Sequence, residues 1–230
     1  MWRRYLSSEL FWHFKGGDKP LPRPKIYRAP TFSWASIDGE VVPDRGSYEQ
    51  RLIEVLEVDL KYLTGDSFGR LTGGSLLMKC QLRRAYFTHS AVQAATLKHN
   101  IQYLDDSLLG ETQEHSAVVL LDECPTHFDP ANEDQDSFYS VAGRIDYGDQ
   151  DNLYSVAGHT DDENLDNRIF THSLLLQAVD AQTGTFRRFG YLIEAESSQS
   201  RANRSSPKSL DTIEFPCVDY REGWHTIRLI

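Results

Sequence analysis

Apolar side chains recur along this chain at two spacings, and the change from one to the other divides it. Between Met1 and Phe14, Trp2, Leu6, Leu10 and Phe14 fall four residues apart, with Tyr5 and Phe11 beside them. That stripe predicts a short amphipathic helix, stopped by Gly16-Gly17. From Leu52 onward the spacing is two. Leu56, Val58, Leu60 and Tyr62 alternate with Glu57, Asp59 and Lys61, and Leu76, Met78, Cys80 and Leu82 alternate with Leu77, Lys79, Gln81 and Arg83. Both runs predict strands, separated by a glycine-rich turn region over Thr64 to Gly74. Ile53 and Val55 keep the opposite parity to Leu56, which predicts a bulge near Val55-Leu56 or a short helical turn before the strand. The fully apolar run Ala117 to Leu121 reads as a central strand. Arg168 to Val179 carries Leu174, Leu176 and Ala178 on one face and Leu175 and Val179 on the other. Asp180 to Gly184 turns the chain and Thr185 to Ile193 returns, a hairpin. Trp224 to Ile230 alternates strongly and belongs inside the sheet, because an exposed apolar edge invites aggregation. Ser90 to Leu109 reads as either helix or irregular structure.

Between helix and strands, Gly17 to Lys25 contains Pro20, Pro22 and Pro24 and reads as an extended linker. In the next stretch, Tyr27 to Gly39, Pro30 fixes its own φ and pushes Ala29 into extended backbone. Alternation then sets Phe32, Trp34 and Ser36 against Ser33, Ala35 and Ile37, which predicts a core strand covered on both sides. The expected organisation is an N-terminal helix and Pro-rich linker over 1–25 and a single β-rich domain over 26–230. Its expected form is mainly β, an antiparallel barrel or two-layer sandwich. Ser197 to Ser209, rich in Ser, Asn and Arg, reads as a mobile loop.

A repeat lies in the second half. Asp134-Gln135-Asp136-Ser137-Phe138-Tyr139-Ser140-Val141-Ala142-Gly143 recurs fifteen residues later as Asp149-Gln150-Asp151-Asn152-Leu153-Tyr154-Ser155-Val156-Ala157-Gly158. Two copies are too few for a solenoid. A duplication within a surface insertion over 122–166 is expected, one copy pairing and the other looping.

Charge sharpens that expectation. The chain carries a formal charge of -10, and 122–166 holds thirteen acidic residues against the single base Arg144. An acidic surface disfavours nucleic acid and anionic membrane as partners. With 40% hydrophobic residues, including 11 Phe, 11 Tyr and 4 Trp, the chain can bury a sizeable core without staples. Cys80, Cys124 and Cys217 are odd in number and far apart, which points to a reducing, cytoplasmic setting and a buried, inert Cys80.

Candidate chemistry is sparse. Cys124, His127 and Asp129 put three potential ligands within six residues, but a closed zinc site takes four and no second cluster accompanies them. The acidic repeat lacks the oxygen-ligand spacing of a calcium loop. His159, Asp161, His172 and Ser173 come without a nucleophile elbow, Gly65 to Gly74 without a phosphate-binding pattern, and the pairs Arg83-Arg84 and Arg187-Arg188 make no nucleic-acid patch. No cofactor, metal or catalytic residue is expected. The competing reading is a small-molecule or metal-binding β-barrel, with Cys124 and His127 near a pocket.

Tyr27-Arg28-Ala29-Pro30-Thr31-Phe32-Ser33-Trp34-Ala35-Ser36 resembles the Tyr-Arg-Ala-Pro-Ser-Trp-Ser-Trp-Ala-Ser pattern of fungal heterokaryon-incompatibility (HET) proteins, found after their HET domain. Tyr27, Arg28, Ala29, Pro30, Ser33, Trp34, Ala35 and Ser36 match it, while Thr31 and Phe32 replace Ser and the first Trp. Three further segments are similar to the family's: Met1 to Trp12 to its upstream Leu-Trp helix, Phe186-Arg187-Arg188-Phe189-Gly190 to its Tyr-Arg-Arg-Ile-Gly hairpin arm, and Thr226-Ile227-Arg228-Leu229-Ile230 to its Thr-Ile-Thr-Leu-Ile ending. The HET domain's own Trp-Val-Leu-Gln-Glu-Arg type motif has no counterpart here. The resemblance therefore implies the C-terminal region of a protein of non-self recognition and regulated cell death, or a fragment or paralogue of one. Such a region is expected to be a non-catalytic interaction or autoregulatory module whose partner is another protein or a HET domain.

Overall fold

The computed structural model describes residues 6–14, 23–43, 50–87, 96–103, 115–122, 138–147, 168–197 and 215–230. They are mainly strand: β1 (His13–Phe14), β2 (Val41–Val42), β3 (Gln50–Arg51), β4 (Glu54–Tyr62), β5 (Leu71–Cys80), β6 (Leu82–Phe87), β7 (Thr96–Tyr103), β8 (His115–Leu121), β9 (Phe138–Tyr147), β10 (Arg168–Asp180), β11 (Thr185–Ser197), β12 (Asp219–Arg221) and β13 (Trp224–Leu229). No helix among the described residues is long and apolar enough to cross a membrane.

One 11-stranded sheet holds all but the β1–β2 pair, in the order β10-β9-β6-β7-β8-β11-β13-β5-β4, with β12 beside β13 and β3 beside β9. Its pairings are antiparallel except β11 with β13, where Thr185 lies beside Arg228 and Phe186 beside Leu229. The expected barrel or sandwich is thus corrected to one large mixed sheet. β10 also pairs with β11, which brings the ends of a six-strand run together, yet the whole does not close into a barrel. β13, β5 and β4 carry the sheet on past β11, to an outer strand that among the described residues pairs only with β5.

The alternating runs land where their periodicity puts them. Leu76, Met78 and Cys80 of β5 and Leu82 of β6 are all buried, as are Ile227 and Leu229 of β13. Burial pushes the Cys80 thiol well above its ordinary pKa, as befits an inert core cysteine. β5 and β6 form one extended stretch interrupted at Gln81. Before the break it pairs with β13 and β4, after it with β9 and β7. At this corner the Leu82 N–H donates to His225 Nδ1 at 3.2 Å. In β4 the register slips between Val55 and Glu57, the expected bulge. It sets Val55 on the core side with Val58 and turns Leu56 out to 48% exposure.

Four expectations are corrected. The N-terminal helix is not supported: one turn, Leu6–Glu9, gives way to extended chain by β1. The carbonyls of Leu10 and Trp12 accept hydrogen bonds from Arg188 and so do not continue a helical ladder. The stretch after Pro30 is not a strand but a turn leading into a 3-10 helix over Trp34–Ser36. Gly73 and Gly74, read as turn residues, lie within β5, where a side chain on Gly74 would stand 2.6 Å from Pro30 Cγ. The first repeat copy pairs as expected, but not in a surface insertion, for β9 lies between β6 and β10 within the sheet. Tyr139, Ser140 and Val141 of the first repeat copy are buried there. The second copy, and the loop over 198–209, lie outside the described residues.

Candidate functional site

β11 carries a bulge opposite Leu175 and Leu176, whose partners are Gly190 and Arg188, with Phe189 between. Burial is continuous along this strand from Arg188 to Glu194. Gly190 faces β8 so closely that a Cβ there would lie 2.5 Å from the Leu120 carbonyl oxygen. The bulged Phe189 carbonyl accepts from the Asp122 N–H at 2.9 Å. This contact brings the Asp122 side chain to Arg188.

The Arg188 guanidinium is the centre of a junction. Its Nε lies 2.9 Å from Asp122 Oδ2, the side chains 0% and 1% exposed, and Nη2 donates to Oδ1 at 3.2 Å. Nη1 donates to the Leu10 carbonyl at 2.7 Å and Nη2 also to that of Trp12. The Trp12 ring covers the guanidinium face with its centroid 3.5 Å from Cζ. Burial pulls the Arg188 pKa below its ordinary value and Asp122 opposes that pull. An arginine in such a setting keeps its proton.

The backbone of the same residue collects the other segments. Arg188 N–H donates to Thr31 Oγ1 at 3.0 Å, and its carbonyl accepts from Arg23 Nη2 at 3.1 Å. The Thr31 hydroxyl donates to the Ile230 carbonyl, which the Thr31 N–H also reaches at 3.1 Å. Ile230 N–H returns to the Phe186 carbonyl at 3.0 Å, and Trp12 Nε1 donates to the Phe32 carbonyl at 2.9 Å. Besides Asp122 at the end of β8, stretches around Leu10 to Trp12, Arg23 to Phe32, Phe186 to Arg188 and Ile230, distant in sequence, meet here.

Each residue of the Tyr27 to Ser36 motif has a place. Arg28 clamps the loop from inside: Nε donates to the Ala35 carbonyl at 2.6 Å, Nη2 to the Ile37 carbonyl at 2.6 Å, and Nη1 pairs with Asp38 Oδ1 at 2.7 Å. Ala29 leads into Pro30, which is buried over Gly74. Ser33 caps the 3-10 turn by accepting from the Ala35 N–H at 3.3 Å. Ser36 is buried and accepts from Arg23 Nη1 at 2.9 Å. Phe32 and Ile37 face the core, and Trp34 does not: it is 55% exposed, with Tyr27 at 41% beside the clamp. The expectation of a fully packed Trp34 is overturned, because the 3-10 turn breaks the two-residue period that would have set it beside Phe32.

A second polar contact fastens the same N-terminal segment. His172 Nδ1 is hydrogen-bonded to the Tyr191 hydroxyl, and the His13 ring stacks on Tyr191 at 5.5 Å. Ser173, next to His172 on β10, pairs in register with Leu192 while His172 pairs with Ile193, so the two side chains leave opposite faces of the strand. They do not form a reactive couple. No group of three or more His, Cys, Asp or Glu among the described residues is arranged to hold a metal ion. Cys124, His127 and Asp129 lie outside the described residues. No family model, curated protein or solved structure matches this chain.

Arg188 and Asp122 were missed as a pair because Asp122 reads as one more acid in an acidic segment. The signal for Arg188 was parity. Phe186 and Arg188 share a strand face, so an inward Phe186 carries Arg188 inward with it.

Proposed function

We propose that this chain is a non-catalytic interaction or autoregulatory module of the heterokaryon-incompatibility type, acting in non-self recognition and regulated cell death through another protein, such as a HET domain. One observation carries the reading: Trp34 stands 55% exposed on a loop closed by Arg28 and seated on the Arg188 junction. A large ring already held in place loses little conformational freedom on binding, which is why Trp is enriched among residues that dominate interfaces. Tyr27 and Ile26, both exposed, extend the apolar surface, beside the partly exposed Arg28–Asp38 ion pair. The resemblance of the loop to the HET family's motif supplies the kind of partner. A non-catalytic role fits the use of the buried polar groups, since Arg188 and Asp122, and His172 and Tyr191, are engaged with each other.

Co-expression tests the proposal. An isolated HET domain that kills its host is produced with the intact chain or with the Trp34→Ala variant. The intact chain is expected to change the killing, and the variant to lose that effect while melting at the same temperature. Killing that is the same with and without the intact chain would count against the proposal.

A further inference from the structure

The outermost strand of the sheet, β4, is acidic on one face and apolar on the other. Its bulge arranges this. With Leu56 as the extra residue, Glu54, Glu57 and Asp59 stand opposite Lys79, Leu77 and Ser75 of β5, on the face turned away from the core. All three acids are exposed. Val55 and Val58 stand opposite Met78 and Leu76, on the core face. Burial runs out across that face, from 0% at Leu76 and Met78 to half-buried at Val55, Val58 and Leu60. Lys61, the next residue on the outward face, ends the acidic run.

Among the described residues no strand lies along the far edge of β4, and the Leu6–Glu9 turn approaches β4 without pairing with it. Alternate residues of an edge strand turn their N–H and C=O groups outward, where another strand can take them. The side chains decide which strand fits. A second copy of this chain laid antiparallel about Val58 would set Glu57 of one copy beside Asp59 of the other, and like charges opposed across strands repel. A wholly apolar strand would cover Val55 and Val58 but strip water from carboxylates that make no ion pair among the described residues.

We propose that the free edge of β4 is a docking site for an extended basic segment of another protein, in which Lys or Arg alternates with branched apolar residues. Paired along β4, its cations fall beside Glu54, Glu57 and Asp59, and its apolar side chains continue the core face past Val55 and Val58. The charge that excludes a second copy thereby selects the partner. The edge would serve in this way whether or not the Trp34 loop binds a HET domain.

Fluorescence anisotropy on the full chain tests it with three synthetic probes: a short peptide alternating lysine and valine, its counterpart with glutamate for lysine, and the lysine peptide with its backbone amides N-methylated. The lysine peptide should bind the parent chain. The double variant Glu57→Lys, Asp59→Lys, changed only at exposed side chains, should bind it about tenfold more weakly and take up the glutamate peptide instead. The N-methylated peptide keeps its charge but cannot pair with a strand, and it should not bind the parent. The proposal is overturned if the lysine peptide does not bind, if N-methylation leaves its affinity intact, or if the double variant binds it as the parent does. A parent chain that elutes from gel filtration as a dimer and takes no peptide would assign the edge to a second copy and overturn it likewise.

Discussion

The Arg188 guanidinium is enclosed by an indole ring, a carboxylate and two carbonyls. Removing the carboxylate charge alone, as in Asp122→Asn, leaves Arg188 buried without a counter-ion, and breaking such pairs costs about 3–5 kcal/mol. Urea denaturation should register that loss, whereas Trp34→Ala, at an exposed ring, should stay within about 0.5 kcal/mol of the parent. His225 provides a second single-residue prediction. Burial depresses its pKa from the ordinary 6.5 to about 4, while the Leu82 N–H donates to its Nδ1. The unfolded chain takes up this proton near 6.5 and the folded chain only near 4, so the neutral ring's contribution is complete above 6.5 and declines as pH falls towards 4. Stability measured at pH 7 and pH 5 should drop accordingly, and His225→Gln should flatten the drop. Of these residues, Arg188 and His225 announced their burial in the sequence, through the parity they share with Phe186 and with Ile227 and Leu229. The partner of Arg188 was hidden because pairing joins positions 122 and 188, and no local pattern relates them.

At the scale of elements, irregularities do the positioning. The β11 bulge at Phe189 follows directly on Arg188, which parity with Phe186 points inward, and offers its carbonyl to the Asp122 N–H. Gly190→Ala should force β11 away from the Leu120 carbonyl of β8 and cost about 1–3 kcal/mol, read as a fall in the urea midpoint with an unchanged slope. The β4 bulge was legible because Val55 and Leu56 break the two-residue period in plain view. The β11 bulge was not, since Phe186-Arg187-Arg188-Phe189 is compatible with simple alternation. The loop from Pro30 to Ser36 misleads for the same reason. Its apolar residues alternate like a strand, but Ser33 caps a 3-10 turn and Arg28 holds it closed, contacts that a period cannot express.

For the whole molecule, the junction explains how a short N-terminal segment is held on a large sheet. Leu10 to Phe14, the Tyr27 loop, β11 and the end of β13 are tied by hydrogen bonds that converge on Arg188 and Thr31. Any change that loosens this convergence should also loosen the platform on which Trp34 stands. Alternation by itself determined the strand character of β4, β5, β10, β11 and β13 and, apart from Leu56 at the β4 bulge, which apolar residues of β4, β5 and β13 face the core, because side chains two apart share one face of a pleated strand whatever its neighbours. Tertiary structure alone decided that Phe32 goes in and Trp34 comes out, that the Leu10 and Trp12 carbonyls accept from an arginine rather than continue a helix, and that the first repeat copy lies between β6 and β10. The physical reason is shared: each of these outcomes depends on a buried polar group or strand edge finding a partner far along the chain, and such partners exist only once the chain is folded.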